Sequence, residues 1–208
     1  MPHYIRNRRY FALRDEACIR QPDPRTEVRP SKGQDFMRST TFALALAALI
    51  AAPAAGFADA ISDCNSDQAD TVIKGCTQLI KGGKANNDAL AIAFFNRGNA
   101  FDDNGDHDGA IADYTQMLKL KPDDVQGLYN RGLSFLAKED YDSALADFGQ
   151  AVKLQPDLAR AIYNMGRAYE GKGDLKQALA NYEKAAKLAP DNKNVQAKIA
   201  EIKQKLGQ

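Results

Sequence analysis

Prolines 122, 156 and 190 stand 34 residues apart, each preceded two positions earlier by leucine (Leu120, Leu154, Leu188) and followed by aspartate (Asp123, Asp157, Asp191). Regular spacing of that length marks a repeat array, which restricts the fold more than any other feature of the chain. Aligned on the prolines, the units run 91–124, 125–158 and 159–192. Position 4 is large and apolar (Phe94, Leu128, Ile162), position 8 is Gly (98, 132, 166) and position 11 is aromatic (Phe101, Phe135, Tyr169). Position 20 is Ala (110, 144, 178) and position 24 is again aromatic (Tyr114, Phe148, Tyr182).

Within each unit two segments of helical periodicity flank a short polar loop. Asp106, Asp140 and Asp174 in these loops are placed to cap the second helix, and the proline closes it. Glycine at position 8 opposite alanine at position 20 predicts close approach of the paired helices. A hairpin that is apolar on more faces than its own partner covers must stack on its neighbours, so the expected class is all-α.

These columns resemble the tetratricopeptide repeat over 102 residues; at position 27 Ala151 and Ala185 follow the pattern and Met117 departs, and at position 7 Arg97 and Arg131 replace the usual Leu. The resemblance implies a right-handed superhelical solenoid of helix-turn-helix hairpins. Residues 193–208 carry one apolar stripe (Val195, Ile199, Ile202, Leu206) among Lys and Gln, the pattern of a capping helix. Upstream, residues 70–81 (DTVIKGCTQLIK) echo 108–119 (DGAIADYTQMLK) at an offset of 38. Residues 59–90 are therefore expected to form a degenerate leading repeat, lengthened by a loop over 82–88.

The resemblance also implies a concave groove lined by the first helices. The expected peptide-binding residues are Phe95, Asn96, Asn99, Tyr129, Asn130, Leu133, Arg160, Tyr163, Asn164 and Arg167. Two ladders run through them, the aromatics Phe95, Tyr129, Tyr163 and the amides Asn96, Asn130, Asn164. An amide offers a donor and an acceptor to an extended backbone, and aromatics bury a ligand's side chains; packing between repeats is the competing role for both rows. Some family members hold a C-terminal carboxylate with a Lys, Asn, Asn, Lys, Arg clamp. The matching residues here are Phe95, Asn99, Asn130, Arg160 and Asn164, so two cations are missing and the chaperone-tail function does not carry over. Asp102 and Asp103 at one end, with Arg160 and Arg167 at the other, make the groove's charge uneven. Arg97 and Arg131, at position 7, are expected to pair with Asp113 and Asp147.

Residues 42–58, FALALAALIAAPAAGFA, are the one long apolar stretch and follow Met37 and Arg38. A charged start, a short apolar run and small residues before a cut describe a secretory signal, with cleavage expected after Ala58. The run is too short, and too interrupted by Pro53, for a comfortable span, which places an uncleaved membrane anchor over 42–58 second. Residues 1–36, rich in Arg and Pro, show no periodicity, and translation is expected to start at Met37, leaving them a non-native or disordered extension. Of the 28 basic and 27 acidic residues, nine and five lie in the first 58, so the exported part holds 19 against 22. A mildly acidic protein gives no support to nucleic-acid binding.

Removing the signal leaves two cysteines, Cys64 and Cys76. In an oxidising compartment they are expected to form a disulfide stapling the cap, the alternative being two separate buried thiols. Residues 104–109 (NGDHDG) resemble the opening of an EF-hand loop, but Thr115 stands where the bidentate Glu belongs and a helix is expected to start inside the loop. His107 is expected in solvent. Neither a metal nor another cofactor is implied, and no nucleophile motif or phosphate loop appears, so catalysis has no candidate constellation. The sequence thus points to an exported, periplasmic or secreted, non-catalytic adaptor for an extended protein or peptide. A structural module of an envelope complex, self-associating as a homo-oligomer, is the rival reading.

Overall fold

A computed structural model describes residues 56–207. The expected extension over 1–36 and most of the expected signal lie outside these residues. The described chain is helical from end to end: α1 over 56–64, α2 Ala69–Gly82, α3 Asn87–Asp103, α4 His107–Leu120, α5 Val125–Ala137, α6 Tyr141–Leu154, α7 Ala159–Gly171, α8 Leu175–Leu188 and α9 Lys193–Lys205. From α2 onward each helix packs on the next, and the first helices of adjoining repeats, α3 with α5 and α5 with α7, also touch. This is an all-α solenoid.

The local signals operate as read. Oδ1 of Asp106, Asp140 and Asp174 accepts from the backbone N–H of Gly109 (2.9 Å), Ser143 (3.2 Å) and Gln177 (3.0 Å), starting α4, α6 and α8. Each of these helices ends two residues before its proline. The loop expected over 82–88 is shorter, because Asn86 caps α3 by accepting from the Ala89 N–H at 2.9 Å and the helix begins at Asn87.

Glycine at position 8 does its work against a different neighbour from the one expected. A methyl group added at Gly98, Gly132 or Gly166 would lie 2.8, 2.7 or 2.6 Å from the position-24 ring of Tyr114, Phe148 or Tyr182. The missing side chain makes room for a fully buried aromatic, which supplies far more apolar area to the core than alanine 20 could.

The leading repeat is built from smaller groups, with Ala60, Ile61, Val72, Leu79, Ala85, Ala89, Ala93 and Ala100 buried around it. A disulfide joins Cys64 on α1 to Cys76 on α2, Cα to Cα 4.6 Å, and both residues are fully buried. Beside it a Cβ on Gly75 would come within 2.5 Å of Asp63 and Cys64, so only glycine permits the crossing. At the other end Val195 and Ile202 of α9 are buried against the last hairpin and its polar side faces water, as a cap requires.

Candidate functional site

The face to be tested is the one presented by α3, α5 and α7. Most of the two ladders is interior. Phe95 and Tyr129 are 4% and 7% exposed, and Tyr163, the last of its row, is half-buried. Their rings lie tilted against the position-24 rings, with centroids of Phe95–Tyr114, Tyr129–Phe148 and Tyr163–Tyr182 at 6.0, 5.9 and 5.3 Å. Tilted aromatic pairs at this separation are favourable packing, so the row joins the first helix to the second within each repeat.

The amides join successive repeats. Asn96 Nδ2 donates to Cys64 O (3.1 Å), Asn130 Nδ2 to Asn99 Oδ1 (2.9 Å), and Asn164 Nδ2 to Tyr129 Oη (3.1 Å). Each reaches back to the first helix of the preceding unit. Asn99, itself buried, also accepts from Tyr114 Oη at 2.7 Å. Toward solvent the face presents Leu133 and Tyr163, both half-buried, and the exposed Arg160 and Arg167. Arg160 stacks over Tyr129, 4.4 Å from the ring centroid, and its Nη2 donates to Gln126 Oε1 at 2.7 Å. Arg167 Nη1 donates to Asn164 Oδ1 at 3.1 Å.

The expected arginine pairs are present as forks. Arg97 Nε and Nη2 donate to Asp113 at 2.7 and 2.8 Å, and Arg131 repeats the geometry on Asp147 at 2.8 Å twice. In both cases Nη1 reaches a threonine of the preceding second helix, Thr77 or Thr115. Burial pushes the Asp113 carboxyl above its ordinary value, and the Arg97 fork offsets only part of that. The third repeat replaces all three partners together, with Met165, Asn181 and Gly149 in the corresponding places.

A second coupling escaped the sequence reading. Where position 24 is tyrosine, position 12 is an acid that accepts from its hydroxyl: Tyr114 to Asp102 Oδ2 at 3.2 Å, and Tyr182 to Glu170 Oε2 at 2.7 Å. Where position 24 is Phe148, position 12 is Leu136. A buried hydroxyl needs a partner and a phenyl ring does not, so the pairing was visible in the column comparison had positions 12 and 24 been read together. Burial and the bond to Glu170 raise the Tyr182 hydroxyl far above the ordinary tyrosine value. Burial raises Glu170, but hydrogen bonds from Tyr182, Lys198 and Lys205 outweigh it and hold the carboxyl below the ordinary glutamate value.

Asp102 is the hub of a small network. It accepts from Ser134 Oγ (2.9 and 2.8 Å) and Tyr114 Oη, and His107 Nδ1 lies 2.9 Å from its Oδ1. His107 is therefore not a solvated loop residue but the half-buried start of α4. Although Ser, His and Asp meet here, the aspartate stands between the other two, so the imidazole has no hydrogen bond to the serine hydroxyl and the Ser–His–Asp order of a triad is not formed. The EF-hand-like stretch is turn and helix start, with Asp106 committed to capping. Among the described residues no group of three or more His, Cys, Asp or Glu side chains is arranged to hold a metal ion.

The tetratricopeptide repeat family description matches the sequence over residues 85–125, 95–159 and 129–193, more than half of the chain. The protein belongs to the tetratricopeptide repeat family. No curated protein sequence matches it significantly. Among solved structures, the first repeat domain of Spaghetti (RPAP3) bound to the HSP90 peptide SRMEEVD is 25% identical, covering 57% of this chain and 96% of that one with a TM-score of 0.54. The second such domain of human RPAP3, in complex with the HSP70 peptide SGPTIEEVD, is 28% identical over 57% and 98% of the two chains, TM-score 0.54. MamA residues 41-end from Desulfovibrio magneticus RS-1 is 24% identical over 67% and 76%, TM-score 0.62, a likeness of fold alone. A tetratricopeptide-repeat fold is in general a non-catalytic scaffold for protein interaction.

Proposed function

We propose that this protein is an exported, non-catalytic adaptor that binds an extended segment of a partner protein along the face of α3, α5 and α7. The observation that carries the reading is that this face keeps Leu133, Tyr163, Arg160 and Arg167 open to solvent while the residues beneath them are locked in packing. Rigid support under a few solvent-facing groups is what a preformed recognition surface needs, since it reduces the ordering cost of binding. The two RPAP3 domains, each holding a peptide, support it further. Leu133→Lys tests it: half-buried leucine replaced by a flexible cation obstructs the face, and circular dichroism verifies the fold. Roughly tenfold weaker binding of peptides selected on an array is expected, whereas unchanged binding overturns the reading.

Export rests on the signal-like residues 37–58 and is supported by the Cys64–Cys76 disulfide, a bond that persists in oxidising compartments. Among the described residues no helix is long and apolar enough to cross a membrane. N-terminal sequencing of the mature protein is expected to begin at Asp59; a mature chain retaining residues 37–55 excludes cleavage.

A further inference from the structure

Among the described residues there are four arginines, and they fall into two kinds. Arg97 and Arg131 are half-buried and forked onto Asp113 and Asp147. Arg160 and Arg167 are exposed, both on α7, and hydrogen-bond and stack only with neutral groups among the described residues: Gln126 and Tyr129 for the first, Asn164 for the second. A guanidinium keeps its charge at any ordinary pH and carries five donors, of which each of these uses one. Two permanently charged forks therefore face the open side of the proposed groove without a carboxylate.

We propose that the open face of α7 recognises acidic side chains within an extended partner segment, and not the carboxylate at a chain end. The inference rests on the adaptor reading and names the ligand chemistry it would take. Seven residues of α-helix advance about 10.5 Å, and the part of an extended segment that lies lengthwise on α7 covers that distance in about three residues. Two acids spaced about three apart would thus meet Arg160 and Arg167 together, with the half-buried ring of Tyr163 between them. Glu170, one turn beyond Arg167, does not cancel this field, because Lys198 and Lys205 already face it at 3.1 and 3.3 Å. The charge of the whole array points the same way. Residues 159–208 hold ten basic and five acidic side chains, residues 59–158 nine and seventeen, so an acid-bearing segment is steered to the third repeat.

A chain-terminal carboxylate finds less here. Asn99 and Asn130, the amides nearest the middle of the face, are buried and bonded to each other, and Asn164 is held by Tyr129 and Arg167. Phe95 occupies the place of a cation and is itself interior.

The test uses the full exported chain and fluorescein-labelled peptides of about twelve residues read by anisotropy. One carries two glutamates three apart with an amidated C-terminus, one has glutamine at both places, and one is the glutamine peptide with a free carboxylate; the array-selected peptide serves as a positive control. The glutamate peptide is expected to bind roughly tenfold tighter than the glutamine peptide, with the difference lost in the double variant Arg160→Gln/Arg167→Gln and reduced by salt. Equal affinity of glutamate and glutamine peptides, while the array-selected peptide still binds, overturns the acidic specificity alone. A preference that follows the free carboxylate overturns it too. Failure of every peptide, the control included, removes the adaptor reading and this inference with it.

Discussion

Glu139 holds φ 60 at the fifteenth position of its repeat, where Gly105 and Gly173 hold φ 80 and 79 in the units on either side. The turn between paired helices needs a left-handed residue, and a side chain there costs roughly 1–2 kcal/mol that glycine avoids, less the extra freedom glycine loses on folding. Glu139→Gly is therefore expected to raise stability by roughly 0.5–1 kcal/mol in urea unfolding; a loss would show that the Glu139 side chain makes a contact worth more than the strain. Glu170 allows a second single-residue prediction. Its folded pKa lies below the ordinary 4.5, so the charged form is favoured in the native state, and its contribution is present above the unfolded value and lost as pH falls through the folded one. Glu170→Gln should be less stable than wild type at pH near 7, and the gap in urea midpoint should close as pH drops below 4.5. A gap independent of pH would mean that shape, not charge, is what Lys198 and Lys205 recognise.

Helices and their ends could be read directly because their causes are local: an aspartate three residues before the amide it caps, a proline that cannot continue a helix. The arginine forks were also legible, since both partners recur at one spacing in two units. Depth was not. Periodicity tells which side of a helix faces the groove, but each first helix in a stack is flanked by another, and the flank closes over positions 5 and 6. That is why Asn96 and Phe95 are interior although their phase is inward, and why only Tyr163, at the end of its row, stays half-open. Two swaps test the couplings found between elements. Arg131→Met alone strands Asp147, 8% exposed in its side chain, and is expected to cost about 2–3 kcal/mol. Adding Asp147→Asn reproduces the Met165 and Asn181 of the third repeat and should recover much of it, giving a double-mutant coupling of about 1 kcal/mol or more. Likewise Phe148→Tyr buries a hydroxyl beside Leu136 and should destabilise by about 1–3 kcal/mol, a loss that Leu136→Glu should reduce. Additive behaviour in both pairs would deny the couplings.

At the scale of the whole molecule, stability in a stacked array is a sum of units and the interfaces between neighbours, so damage at one end should stay near that end. The leading repeat is the weak unit. Its core is largely alanine, whereas the interior hairpins bury Tyr114, Phe148 and Tyr182, and the Cys64–Cys76 bond compensates by constraining its unfolded chain. For a loop of twelve residues' separation the chain-entropy account gives about 3 kcal/mol. The cap is tied to the next unit by the Asn96 bond to Cys64 O and the Arg97 bond to Thr77 Oγ1, and α3, buried on most of its faces, depends on that cover for Ala93 and Ala100. Cys64→Ala/Cys76→Ala is accordingly expected to strip hydrogen-exchange protection from 59–82, weaken it in α3, and leave α7 to α9 at wild-type values, with a shallow early transition in denaturant preceding the main one. The same double variant should still bind any partner seated on Arg160 and Arg167, since nothing at that end rests on the cap. Uniform loss of protection from α2 to α9 would instead mean that the solenoid unfolds as one cooperative body, and the disulfide would then stabilise the proposed binding face as well as the end of the array.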